Sequence, residues 1–127
     1  MVNPQALADS YVALWNETDA EARRRAVASL FASDGEHYVG TRHVKGHSAL
    51  EDRVAGSHEK NVRDGGNRFR AAPGAKALHD GVTFFWEMVP SDEDRILATG
   101  LEFLLLDSAG RILADYQFIL DQPRGVA

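Results

Sequence analysis

An α+β domain, with three N-terminal helices packed on a curved antiparallel sheet, is the fold class that this sequence predicts. Three observations carry it. The first half pairs helix-start signals with apolar residues at a 3.6-residue period. The second half breaks into β-rich runs separated by turn dipeptides. Helices come first and strands after, the order that packs helices on one face of an antiparallel sheet.

Asn3-Pro4 opens the first helix, because proline suits the first helical position. Leu7, Tyr11, Leu14 and Trp15 then fall on one face. Thr18 with Glu21 three residues on is a capping box, so a second helix starts there, with Val27, Leu30 and Phe31 as its buried stripe. Arg23, Arg24 and Arg25 read as its solvated face. Ser33-Asp34-Gly35 stops it, and a short extended stretch, Glu36 to Val39, follows. Gly46 and the Ser48–Glu51 pair start the third helix. Its apolar face is Leu50, Val54 and Val62, with His58 on the same side, and Gly65-Gly66 ends it.

Asn67 to Ala72 is the first strand of the second half, broken at Pro73-Gly74. Asp80-Gly81 between Ala75–His79 and Val82–Val89 is a hairpin signal. Arg95 to Leu106 is a long strand, turned by Asp107-Ser108-Ala109-Gly110 into Arg111 to Leu120. These strands are apolar on both faces. Val82, Phe84, Trp86 and Met88 share one face of theirs, and Ile112, Ala114, Tyr116, Phe118 and Leu120 share one of the last. A sheet with one solvated face alternates apolar and polar residues instead. The outer face therefore needs cover, and a homodimer through it is expected.

The chain of 127 residues is expected to form a single domain, 1–127. Its 44% apolar and 26% charged content is that of a globular protein. A net charge of -5 argues against nucleic acid and anionic membranes as partners. There is no cysteine, so disulfides, thiol catalysis and thiolate metal sites are excluded. No apolar run approaches the roughly 20 residues that span a bilayer, and the N-terminus lacks a signal-peptide pattern. A cytoplasmic location is expected.

In its motifs the chain resembles the NTF2-like superfamily, in its SnoaL-like branch. The resemblance rests on Tyr11-Val12-Ala13-Leu14-Trp15, on Leu30-Phe31-Ala32-Ser33-Asp34-Gly35 and on Gly46-His47-Ser48-Ala49-Leu50. It continues through Val82-Thr83-Phe84-Phe85-Trp86, Thr99-Gly100-Leu101-Glu102 and Gly110-Arg111-Ile112. It implies a cystatin-like cone, in which a bent sheet wraps a long first helix around a pocket. Ketosteroid isomerase, polyketide cyclases and non-enzymatic modules share that fold, so the fold does not fix the function.

Glu102 stands in Leu101-Glu102-Phe103-Leu104-Leu105-Leu106, the most apolar stretch of the chain. Pointing inward, it would be held neutral by desolvation and could donate a hydrogen bond or act as a general acid. Pointing outward, it would pair with an arginine. Tyr11 lies on the apolar face of the first helix, where a tyrosine is ordinarily core. By the resemblance it matches the oxyanion-hole tyrosine of ketosteroid isomerase, and Glu102 matches that enzyme's hydrogen-bonding acid. The isomerase's base is an Asp on the strand after the second helix. Here that segment is His37-Tyr38-Val39-Gly40, without a carboxylate. His37 or His58 would supply the base instead, although His58 also reads as a satisfied histidine beside the core.

Trp15, Tyr38, Phe69, Phe84, Trp86, Tyr116 and Gln117 are the expected pocket lining, suited to a small apolar molecule. Asp115 would orient a neighbour, and His79 beside the hairpin turn is expected to be exposed. His37, His43 and His47 are the one histidine cluster, but they fall in a loop without an evident third-ligand geometry, so neither metal nor cofactor is expected. The functional expectation is a pocket for a carbonyl-bearing molecule, with cofactor-free isomerase, cyclase or dehydratase chemistry. The alternative is a non-catalytic binding or dimerisation module.

Overall fold

The computed structural model describes residues 2–120. Among them are three α-helices and seven strands. Helix α1, Pro4–Asn16, is capped by Asn3, whose side chain accepts from the Ala6 amide at 3.0 Å. Its inner face buries Ala8, Tyr11, Val12, Leu14 and Trp15. Helix α2, Ala20–Leu30, starts one residue later than the capping box predicts. Asp19 is its cap and accepts from the Ala22 amide at 2.8 Å. None of the helices is long and apolar enough to cross a membrane.

The expected stop after α2 is instead a strand. Strand β1, Phe31–Val39, follows α2 directly and runs through Ser33-Asp34-Gly35. Gly35 is required where the pairing of β1 is irregular, because a Cβ there would lie 2.8 Å from the Ile112 carbonyl oxygen. A tight turn at Gly40 leads into β2, Arg42–Lys45, so two strands precede α3, His47–Ser57. Helix α3 passes into a π-helical turn, His58–Arg63. Then come β3, Asn67–Ala71; β4, Lys76–Leu78; β5, Gly81–Pro90; β6, Ala98–Leu106; and β7, Ile112–Ile119. The hairpin turn sits one residue earlier than expected: Leu78 pairs with Gly81, and His79, exposed as predicted, has φ 51°.

The sheet runs β2-β1-β7-β6-β5-β3, with β4 also on β5. It is mixed rather than antiparallel, because β1 pairs with β7 in parallel. The helices cover its concave face, and the core joins Tyr11, Leu14, Val27 and Leu50 to Phe84, Leu104 and Ile112.

The predicted shared face of β7 does not survive. Leu106 pairs with Ile112 but Leu105 with Ala114, so Leu113 is an extra residue, a β-bulge. One inserted residue reverses every side chain beyond it. Ile112 faces the core, yet Tyr116 and Phe118 face outward and Asp115 turns inward, fully buried.

Candidate functional site

Between α1, α3, the π-helical turn and the concave sheet lies a cavity of about 720 Å³. Its buried end is formed by Tyr11, Trp15, Trp86 and Glu102, which are all buried. Phe69, Met88 and Gln117 form the walls. Arg42, Asp52, Lys60 and Ile119, all exposed, form the rim.

Pleating sets the inward residues. Glu102 pairs with Gln117 and Leu104 with Asp115 across β6 and β7, while His37 pairs with Asp115 across β1 and β7. His37, Glu102 and Asp115 thus meet under α1, which lowers Tyr11 among them. The Tyr11 hydroxyl donates to Asp115 Oδ2 at 2.5 Å and lies 3.2 Å from Glu102 Oε2. His37 Nδ1 lies 2.8 Å from the same Asp115 oxygen. Trp86 Nε1 donates to Glu102 Oε1 at 2.9 Å. The indole reaches there because its cross-strand partner is Gly100; any Cβ at that position would lie 2.1 Å from the ring.

Burial, and next the charge of Asp115, push the Glu102 carboxyl well above its ordinary 4.5. Burial likewise holds the Tyr11 phenol well above its ordinary range, with the charges of Asp115 and Glu102 adding to it. Both shifts favour the protonated, neutral form over the charged one. With Oε1 accepting from the indole, a proton on Glu102 would sit on Oε2. There it can be donated to the Tyr11 oxygen or to an acceptor in the cavity. A carboxylic acid at the closed end of a cavity, between two tryptophans, can hydrogen-bond a carbonyl oxygen and stabilise charge that develops on it.

Six expected site residues line the cavity: Tyr11, Trp15, Phe69, Trp86, Glu102 and Gln117. His37 enters the network behind them, its ring 5.6 Å from that of Trp15, and reaches the cavity only through Asp115 and Tyr11. His58 does not join them. It is buried at the start of the π-helical turn, where burial and then the charge of Arg23 push it below its ordinary value. Phe84 packs edge-on behind Tyr11 at 5.6 Å. Tyr38 and Tyr116 lie on the outer face, stacked at 5.0 Å, with His43 on Tyr38 at 4.4 Å. The β7 bulge accounts for Tyr116, and parallel register then takes Tyr38 with it. His37, His43 and His47 are held apart on different partners: Asp115, Glu36 and the Phe31 carbonyl.

Sequence reasoning missed Arg53, whose guanidinium lies over the Trp15 ring, 5.0 Å from its centroid. It gave too little weight to Asp115. The missed signal for Arg53 was a second helical stripe. Arg53, Gly56, Ser57, Lys60 and Asn61 recur at helical spacing beside the apolar stripe, and all line the cavity.

No family model matches the chain, and no curated protein does. Solved structures do. A SnoaL-like family protein from Agrobacterium tumefaciens str. C58, whose name suggests an isomerase, superposes with a TM-score of 0.85 at 25% identity. It covers 94% of this chain and 99% of its own. An NTF2-like protein of unknown function from Exiguobacterium sp. 255-15 gives 0.70 at 20% identity, over 91% of this chain and 99% of its own. A protein from Sinorhizobium meliloti, whose name suggests a polyketide cyclase, gives 0.63 at 13% identity, over 88% and 93%. The chain thus has the fold of SnoaL-like and NTF2-like proteins, described as cystatin-like in further neighbours.

Proposed function

We propose that the protein binds a small, partly apolar, carbonyl-bearing molecule and acts on it by cofactor-free acid–base chemistry, as an isomerase, cyclase or dehydratase. The observation that carries this reading is Glu102, a buried carboxyl at the closed end of the cavity whose burial favours its protonated form, with one oxygen held by Trp86 and the other beside Tyr11. Glu102 is the catalytic residue of this reading. Tyr11 touches the same oxygen position, and Asp115 and His37 are positioning residues behind it. Both tryptophans of the chain, Trp15 and Trp86, line the cavity, so their fluorescence reports occupancy. A panel of ketones and enones screened this way, followed by product analysis, tests the reading. Glu102→Gln should abolish turnover of a converted ligand even at saturating concentration. Undiminished turnover would discard the assignment.

One observation favours a second reading, passive binding. Neither His37 nor His58 lines the cavity, so no imidazole base faces a ligand there. On that reading, steroids, polyketide fragments or terpenoids that raise the melting temperature are recovered chemically unchanged after long incubation.

We also propose a homodimer through the outer sheet face, where Phe103, Leu105, Tyr116 and Phe118 form an apolar surface.

A further inference from the structure

The cavity's charge runs against that of the chain. The protein carries a net charge of -5, yet its cavity is lined by Arg42, Arg53 and Lys60 against Asp52 and Glu102, whose burial favours its uncharged form. Arg53 is the least exposed of the three cations. It is half-buried, and its Nε is buried with no hydrogen-bond partner among the described residues. Burial, and next the charge of Arg42, push the guanidinium below its ordinary value. The Trp15 ring beneath it is the contact the fold provides. Stacking on an indole leaves the N–H edge of a guanidinium open to an acceptor in its own plane. A desolvated cation without a paired anion is costly, and a bound anion relieves that cost.

We propose that the ligand carries a carboxylate, which pairs with the Arg53 guanidinium between the rim and the Tyr11–Glu102 end. A single guanidinium fork matches the two oxygens of a carboxylate. Arg42 and Lys60 at the rim steer the anion inward. The apolar body of the ligand lies along Trp15, Phe69 and Trp86. Its carbonyl then reaches Glu102, an orientation that rests on the acid–base reading above. The substrate class is accordingly a keto acid or an enone acid, not a neutral ketone.

Calorimetric titration of the full chain with 6-acetyl-2-naphthoate and with 6-acetyl-2-naphthamide tests this. The two probes share shape and ketone and differ in charge. The acid should bind about tenfold or more tightly than the amide, and the gap should narrow as salt is raised. Arg53→Gln should close the gap by weakening the acid far more than the amide, and an unchanged far-UV circular dichroism spectrum shows that the variant folds. Arg53→Lys should keep part of the gap. Equal affinities for the two probes, or a gap that Arg53→Gln leaves intact, overturns the proposal. Glu102→Gln separates the two readings. Weakened binding of both probes alike supports the ketone orientation. A full acid-over-amide gap with both affinities unchanged removes the Glu102 contact and leaves the carboxylate site standing.

Discussion

Asp115 Oδ2 accepts a 2.5 Å hydrogen bond from the Tyr11 hydroxyl. Glu102 approaches that hydroxyl at 3.2 Å, so two fully buried carboxyl groups converge on one phenol. Two such groups cannot both ionise without a large cost. Burial and the charge of Asp115 favour a proton on Glu102, which would relieve the conflict and turn an ordinary base into a donor.

That proton makes stability depend on pH in a definite direction. The Glu102 pKa is raised on folding, so between 4.5 and its folded value the native state holds a proton that the unfolded chain has lost. The contribution is complete below the unfolded pKa and is lost as pH rises through the folded one. Glu102→Gln keeps a neutral group there at every pH. Its stability relative to wild type should therefore increase as pH rises above 4.5, by up to about 1.4 kcal/mol per pH unit for as long as the native carboxyl stays protonated. Urea melts of both proteins across that range check this, and a constant difference contradicts it.

Removing Asp115 should be felt through two donors at once. Asp115→Leu strips both Tyr11 and His37 of their acceptor, at about 1–3 kcal/mol for each orphaned group. Asp115→Asn keeps an acceptor oxygen and should cost less. In the Asn variant the Glu102 carboxyl should titrate lower than in wild type, because the charge of Asp115 is its second cause of elevation, yet stay above 4.5, because burial is the first. Carbon-13 NMR of the Glu carboxyls reads this directly, and an unmoved Glu102 would mean that the two acids do not interact.

Gly100→Ala should break the Trp86–Glu102 bond without touching either residue. The new methyl would occupy space now filled by the indole, so the ring must swing away. Overpacking of this kind costs about 1–3 kcal/mol. A red-shifted tryptophan emission with a lowered melting temperature is the expected pair of changes. Wild-type emission together with wild-type stability would show that the ring tolerates the methyl.

Phe118 is half-exposed on the outer face. Light scattering at micromolar concentration should give a dimer for the wild type and a monomer for Phe118→Glu. A monomeric wild type removes the dimer proposal.

Much of this architecture was legible in the sequence because it follows local rules. Asn3-Pro4 caps a helix wherever it stands, and apolar spacing placed Tyr11 and Trp15 on the inner face. Glu102 was legible for a related reason, since a lone carboxylate amid leucines is conspicuous. The residues that escaped depend on non-local pairing. The bulge at Leu113 leaves no mark in an alternating run, yet it decides that Asp115 faces in and Tyr116 out. The parallel pairing of β1 with β7 was hidden because Ser33-Asp34-Gly35 looks like a turn until Ile112 is laid beside it. Arg53 was hidden by its neighbour Val54, which drew the helical face toward the core.

The bonds that tie Tyr11 and His37 to Glu102 and Asp115 span 78, 91 and 104 residues. During synthesis on the ribosome, Tyr11 and His37 emerge long before either carboxylate exists. Until β7 arrives, β1 also presents an open edge to any strand in the neighbourhood. Such long loops close slowly. The cavity is therefore the last part of the molecule to acquire its chemistry. A nascent chain stopped short of Asp115 would carry the helices, the tryptophans and the arginine, but neither the hub that fixes Tyr11 nor a finished sheet, which makes it a substrate for chaperones and proteases rather than for ligand.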